Sequence, residues 1–553
     1  MIYDNKLYIG KSGEEKIVIY PSMANRHGMI AGATGTGKTV TLKVIAESFS
    51  DMGVPVFMAD VKGDLSGMCI GGSNTENIQK RVEKLGLNEE GFSFTAYPVN
   101  FWDVYEKQGM PLRTTISEMG PLLLSKILGL NDTQSAILKV VFKIADDEGL
   151  LLIDTKDLRS MLTYVSGKSK EYSVSYGNMA PQSLAAIIRA VIALEDEGGN
   201  LFFGEPALDI KDWMACSYDG KGYINLLDCQ ELVNRPIMYS AFLLWMLSEL
   251  YEMMPEAGDM DKPKLVFFFD EAHLLFDSAS KDLLEKVEQI VKLIRSKGVS
   301  IFFITQNPKD IPDGVLSQLG TKVQHALRAY TPAEQKGAKI AAQSFRVNPE
   351  FDTYETLSNL GIGEALVSVL DEEGIPTIVK KTKILPPRSK MGAVDFETRS
   401  KHMAVSPLYN KYAEAYDRDS AYEFLMRKAQ ADEEAKEYAK AEAEREKLEA
   451  LEEKRREKEI SDRLKELEKE KARIRKEIEK RDAAQLRARE KEAERQSRAV
   501  KNAVKSVSSS AAGTVGREVG KTVGSSFGSF GKKLGGNVGS SLGRGIIGTL
   551  FGK

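Results

Sequence analysis

The sequence predicts an α/β fold built on a parallel sheet. Three segments predict it. Gly32-Ala33-Thr34-Gly35-Thr36-Gly37-Lys38-Thr39 fits the phosphate-binding pattern G-x-x-x-x-G-K-[ST]. Leu265-Val266-Phe267-Phe268-Phe269 is an apolar run ending in the adjacent acids Asp270 and Glu271. Val299-Ser300-Ile301-Phe302-Phe303-Ile304-Thr305 is a second such run, ending before Gln306. Continuous apolar runs of this length suit parallel strands buried on both faces. In doubly wound sheets, ligand-binding side chains gather where such strands end.

The phosphate loop stands in the context it needs. His27-Gly28-Met29-Ile30-Ala31 reads as the strand before it, and Val40-Thr41-Leu42-Lys43-Val44-Ile45-Ala46 as the helix after it. The glycines let backbone N–H groups converge on phosphates, and the helix points its positive end at the same place. Lys38 would reach the β- and γ-phosphates of ATP, and Thr39 would hold Mg²⁺. The plain alternative is a Gly/Thr-rich turn that carries a lysine.

The paired acids extend binding to hydrolysis. Asp270 would bind the Mg²⁺ shell, while Glu271 would orient and deprotonate the attacking water. Consecutive residues at a strand end supply the two positions these tasks require. The alternative is a core strand followed by a helix N-cap aspartate. Gln306, at the end of its own strand, would sense the γ-phosphate or place the water, although a glutamine there needs no function.

The remaining elements follow in chain order. Residues 1–25 form a short β-rich entry, with alternation in Lys16-Ile17-Val18-Ile19-Tyr20. The core domain spans 26–390. Val54 to Asp60 reads as its second strand, and Asp60-Val61-Lys62-Gly63-Asp64 as a turn. Asp60 and Lys62 face the nucleotide or a subunit boundary, or they simply cap that turn. Phe92 to Tyr97 reads as an edge strand. A helical insertion occupies about 111–215, with helical periodicity over 122–128, 134–146, 155–165 and 183–195. Gly222 to Leu227 returns to strand, Pro236 to Met253 is an apolar helix, and Leu283 to Lys297 is an amphipathic one. Leu366–Leu370 and Pro376–Val379 read as a hairpin around Asp371-Glu372-Glu373-Gly374.

Residues 391–408 read as a linker. Residues 409–505 are rich in Glu, Lys, Arg and Ala and lack Gly and Pro, which predicts a long helix laced with i,i+4 ion pairs. Ile460, Leu464, Leu467, Ile474 and Ile478 form a short coiled-coil seam interrupted at Lys471. A solvated single helix is the other reading. In the tail, 506–553, Gly516, Gly520, Gly524 and Gly528 recur every four residues, and Gly531, Gly535, Gly539 and Gly543 repeat the pattern. Such a basic, small-residue stripe suits packing against a partner helix or a membrane surface. A flexible Gly/Ser tail is the alternative.

Composition sets limits. A chain of 553 residues is too long for one core. A net charge of −3 gives no global nucleic-acid footprint. Three cysteines and four histidines without metal spacing exclude a disulfide scaffold and suit a cytoplasmic setting. The N-terminus carries no signal peptide pattern, and no run of about 18 apolar residues marks a membrane span.

Together, GATGTGKT, FFFDEAH and ITQNPKDIPDGVLSQLG resemble the HerA/FtsK group of additional-strand P-loop ATPases, and most closely its bacterial HerA-like members. NRHGMIAGATGTGKT, NDTQSAILKVVF, FFGEPALDI, LIRSKGVSIFFITQNP and VQHALRAYTP belong to the same resemblance, which covers residues 1–390. It implies a RecA-like core acting as a ring, usually a hexamer, that couples ATP hydrolysis to movement of a polymer, most often duplex DNA. It also implies an arginine contributed by the neighbouring subunit. Arg328, after the run Val323-Gln324-His325-Ala326-Leu327, is the favoured candidate over Arg295. Two departures stand out: only about 25 residues precede the loop, against a β-barrel in archaeal HerA proteins, and the coil and tail lie outside the shared pattern.

The leading expectation is an ATP-hydrolysing motor acting on DNA. An ATP-gated oligomeric scaffold, membrane-associated through its tail, is the second. A small-molecule kinase fits less well, because Glu271 directly after Asp270 suits water activation.

Overall fold

The computed structural model describes residues 1–258, 260–277, 281–328 and 331–489. The chain forms two units, Met1–Glu434 and Ala435–Lys553. Coil residues 490–505 and the glycine-repeat tail lie outside the described residues.

The first unit is built on a 13-stranded sheet. Its strands are β1 (Ile2–Tyr3), β2 (Lys6–Ser12), β3 (Glu15–Ile19), β4 (Gly28–Ala31), β5 (Val56–Asp60), β6 (Val99–Asp103) and β7 (Met110–Pro111). They continue as β8 (Ile224–Asp228), β9 (Leu265–Phe269), β10 (Val299–Thr305), β11 (Thr321–His325), β12 (Glu364–Ser368) and β13 (Lys380–Ile384). The spatial order is β1-β2-β13-β12-β11-β4-β10-β9-β5-β8-β6-β7, with β3 paired to β2. From β11 to β7 every pairing is parallel. From β11 through β12 and β13 to β2 the pairings turn antiparallel. The β-rich entry thus completes one edge of the same sheet.

Alternation along the central strands builds two cores. Phe57, Phe267, Phe269 and Phe303 face one side, while Val56, Met58, Phe268, Phe302 and Ile304 face the other. Successive side chains on a strand point to opposite faces. The helix Lys38–Asp51 covers the second side through Leu42, Ile45 and Phe49. The helix Pro236–Met253 covers the first, together with residues of the inserted helices.

Those inserted helices are Ile116–Ile127, Asp132–Asp147, Thr155–Gly167, Ser169–Tyr176, Pro181–Asp196 and Gly199–Phe202. Their starts follow from local chemistry. Thr115 with Glu118, Asn131 with Gln134, and Asp154 with Asp157 form reciprocal capping boxes. Pro181 opens its helix at a position that needs no N–H.

Two expectations from the sequence are corrected. Phe92–Tyr97 is not a strand. Its N–H groups bond to loop carbonyls instead, Thr95 to Arg388 at 3.1 Å and Tyr97 to Met68 at 3.0 Å. The alternation of Phe92 and Phe94 reflects ring packing at 5.4 Å, and the strand starts at Val99. The second hairpin arm is Lys380–Ile384 rather than Pro376–Val379. Pro376 has no N–H to give to a ladder and makes only an isolated bridge to Leu370.

Residues 391–434 belong to the first unit. Within them the helix Phe396–Ala404 places Arg399, buried, against Asp228 at 3.2 Å. The long charged helix runs Ala421–Arg489. In the second unit its ion pairs include Arg456–Glu452 and Arg455–Glu459, and Ile460, Leu464, Leu467, Ile474 and Ile478 are all exposed. Among the described residues no single helix is long and apolar enough to cross a membrane.

Candidate nucleotide site

The loop of residues 32–37 joins β4 to the helix Lys38–Asp51. Gly37, the residue before the helix, has φ +117°, a conformation side chains resist. Gly32 passes so close to β11 that an added Cβ would lie 2.5 Å from the Cβ of His325. The loop is pinned from outside. Ala33 N–H donates to the Ala326 carbonyl at 2.9 Å, and Gly363 N–H donates to the Thr36 carbonyl at 3.0 Å. Within it, Thr36 Oγ1 donates to the Ala33 carbonyl at 2.7 Å. Thr34 and Gly35, at its crest, are exposed.

Lys38 is buried and folds back over the loop. Its ammonium donates to the carbonyls of Gly32 at 2.6 Å and Ala33 at 3.2 Å. Burial lowers its affinity for the proton, and the charges of Glu271 and Asp270 oppose that effect. Strand register sets the acids near the loop although β10 stands between β4 and β9: Ala31 lies opposite Thr305, and Phe269 opposite Phe303. Thr39 is partly exposed at the helix start.

Asp270 and Glu271 follow directly on β9, and both are buried. Burial pushes the Asp270 carboxyl up to about 6, against the pull of Lys62. One of its oxygens accepts the Glu271 N–H at 2.9 Å. Glu271 has φ +48°, a left-handed conformation that costs a non-glycine residue about 1–3 kcal/mol. Burial alone would raise its carboxyl, but hydrogen bonding and charge from Lys62 outweigh it, and the group lies below its ordinary value. Lys62 Nζ sits 2.5 Å from Glu271 Oε1. Gln306 Nε2 donates to Oε2 at 3.3 Å, and His273 Nδ1 lies 3.3 Å from the same oxygen.

A cleft of about 380 Å³ opens beside Gln306 and His273, lined also by Ala33, Thr34, Asn307 and Arg328, among others. Arg328 is exposed and borders the cleft of its own phosphate loop. The reason is topological: β11 lies beside β4, so the chain leaving β11 lands next to the loop leaving β4. Arg295 sits instead in the 3₁₀ turn Arg295–Lys297, before β10.

The structure therefore brings together Lys38, the acids, Gln306 and Arg328. It separates the two roles left open for the turn after β5. Asp60 caps it, accepting N–H from Gly63 at 2.7 Å and Leu65 at 3.0 Å, whereas Lys62 reaches Glu271. His325 carries no sequence signal beyond its place at a strand end. Buried beneath the loop, it bonds Thr41 Oγ1 at 2.7 Å and the Glu364 carbonyl at 2.9 Å. Burial pushes its imidazole down to about 4, so it is neutral at pH 7.

The donor set suits Mg²⁺. Among the described residues no cluster of three or more His, Cys, Asp or Glu could hold a metal. One hydroxyl and one buried carboxylate, whose proton affinity already signals an uncompensated charge, match an ion that takes its remaining oxygens from phosphate and water.

The profile of the family described as helicase HerA-like C-terminal matches residues 5–535. The chain belongs to this family. It is a P-loop ATPase of the HerA/FtsK type with a RecA-like α/β core. Relatives include a protein of Methanocaldococcus jannaschii named as a probable helicase, 23% identical over 354 residues, covering 62% of this chain and 60% of the relative. The DNA double-strand break repair helicase HerA of Saccharolobus solfataricus is 22% identical over 366 residues, covering 65% of this chain and 64% of the relative. The chain thus spans less than two thirds of the length of these two relatives. Among solved structures, the plasmid coupling protein TrwB in complex with a non-hydrolysable GTP analogue aligns with a TM-score of 0.46 and 14% identity, covering 68% of this chain and 89% of TrwB.

Proposed function

We propose that this HerA-like ATPase is a ring-forming motor that spends ATP on moving duplex DNA. The observation that carries the hydrolytic part is the placement of Glu271, buried just past the end of β9 and bonded to Gln306 at the end of β10, the strand beside β4 and its loop. Lys38 and the N–H groups of the loop and helix start that the fold leaves unbonded, not those of Gly32 and Ala33, bind the phosphates, and Thr39 and Asp270 hold Mg²⁺. When bound, Mg²⁺ neutralises charge on the phosphate oxygens. Glu271 accepts a proton from water as its oxygen attacks the γ-phosphorus. The bond from that phosphorus to the bridging oxygen breaks, leaving ADP and inorganic phosphate.

Gln306 touches both the cleft and Glu271, so the state of the γ-phosphate passes to the loop after β10. Arg328 supplies positive charge to the cleft of its own chain. Support for DNA as the polymer comes from the family and from the printed names of its relatives. A self-assembled hexamer is the form in which such cores grip a duplex.

The test is steady-state ATP turnover of the wild-type protein and Glu271→Gln, with and without duplex DNA. Glu271→Gln should retain ATP binding and lose turnover by about 10²–10⁴-fold, and DNA should stimulate the wild type. Full turnover in the variant removes the assignment of Glu271. Absence of DNA stimulation, with normal basal turnover, removes the DNA motor alone.

A further inference from the structure

Both oxygens of Glu271 are engaged, and His273 Nδ1 stands 3.3 Å from Oε2. Lys62 holds Oε1 at 2.5 Å and Gln306 holds Oε2 at 3.3 Å. A carboxylate that is to take a proton from water must expose a lone pair toward that water. Paired with an ammonium, the carboxylate is a weaker acceptor for the water's proton than one whose cationic partner has moved away.

Lys62 is the one built to leave. Its side chain is 43% exposed, against 6% for Glu271. It stands on a turn that does not need it, since Asp60 already holds the turn through Gly63 and Leu65. β5 and β9 are adjacent and in register, Ala59 opposite Phe269, so the turn after β5 and the acids after β9 emerge side by side. Lysine is a compact point charge on a flexible stem and can change partners without a fixed geometry. A γ-phosphate offers more negative charge than one carboxylate.

We propose that Lys62 is a second phosphate-reading lysine: without nucleotide its ammonium occupies Glu271, and it transfers to the γ-phosphate oxygens when ATP fills the loop. The transfer frees Oε1 for the water only when a γ-phosphate is present. ADP, which lacks that phosphate, leaves Lys62 on Glu271. The proposal rests on Glu271 as the base.

The test uses the full chain with Mg²⁺. Affinities for a non-hydrolysable ATP analogue and for ADP are measured with ATP turnover in the wild type, Lys62→Ala, Lys62→Met, Lys62→Arg and Glu271→Gln. Lys62→Ala and Lys62→Met should lose the preference for the analogue over ADP by at least about tenfold, with ADP affinity within about twofold of wild type. Turnover should fall with that preference, and Lys62→Arg should recover part of both. Glu271→Gln should bind the analogue more tightly, because Lys62 is no longer held by a charge. An unchanged preference in the folded Ala or Met variant overturns the proposal. So does unchanged analogue affinity in Glu271→Gln, a readout that survives if the Lys62 variants fail to fold. Lys62 variants without effect beside an inactive Glu271→Gln overturn only the transfer of the lysine. A fully active Glu271→Gln overturns the base and the transfer together.

Discussion

His325 and His27 show how single buried groups tie the site to the acid stability of the protein. His27 bonds the Val291 carbonyl at 2.8 Å and accepts the Ile301 N–H at 3.0 Å, and burial pushes it down to about 4, as it does His325. Both bind a proton more weakly folded than unfolded, where the value is about 6.5. Their stabilisation is complete above pH 6.5 and is lost as pH falls through 4. Stability should drop by up to about 1.4 kcal/mol per pH unit for each histidine across that window. Denaturant midpoints measured from pH 7 to pH 4 check this, and His325→Gln should reduce the slope. The residues to which the proposal gives the chemistry stand out as letters: GATGTGKT, Asp270-Glu271 and Gln306. His325 and the pairing of Lys62 with Glu271 do not, because a histidine at a strand end and a lysine in a turn have many uses. Only their neighbours in space select one.

Parallel strands with two-sided apolar character announced themselves, and β9 and β10 lie where the runs predict. The helices of the insertion were visible by their period, and their capping residues stand at their starts. The failures were elements whose pattern had another cause: Phe92 and Phe94 alternate for ring packing, and Pro376 interrupts a ladder that resumes four residues later. The helix Phe396–Ala404 falls in a stretch that reads as linker, yet it fastens the sheet. Its Arg399 pairs with Asp228 at 3.2 Å, donates to the Gln108 carbonyl at 3.2 Å and lies over Phe101. Arg399→Ala leaves Asp228 without its buried partner and should destabilise the first unit by about 3–5 kcal/mol. Thermal melting measures this, and a change below about 1 kcal/mol would show that the helix is not a fastener.

The molecule as a whole must assemble to act as proposed. Light scattering with and without a non-hydrolysable ATP analogue should report a ring. The position of Arg328 on the cleft of its own chain makes a sharper prediction. Mixing inactive Arg328→Ala with inactive Lys38→Ala should not restore turnover, since every site of either chain lacks one of its own groups. Recovery on mixing would show that the arginine serves a neighbour. Mg²⁺ removal by chelation should abolish turnover and be reversed by adding the ion back.

The order of residues along the chain was enough to name a phosphate loop, a pair of acids, an α/β class and a long charged helix, because each rests on local spacing: a turn that only glycine tolerates, a strand buried on both faces, ion pairs one turn apart. Which strands are neighbours was settled by the folded sheet alone. β4 and β9 are more than two hundred residues apart, and their tips end on the same side of the sheet, one strand apart, because β4, β10 and β9 run parallel. The same ordering sets Lys62 against Glu271, Arg328 beside its own loop and His325 beneath it. Such contacts arise from long-range packing of strands, which no short window of sequence encodes.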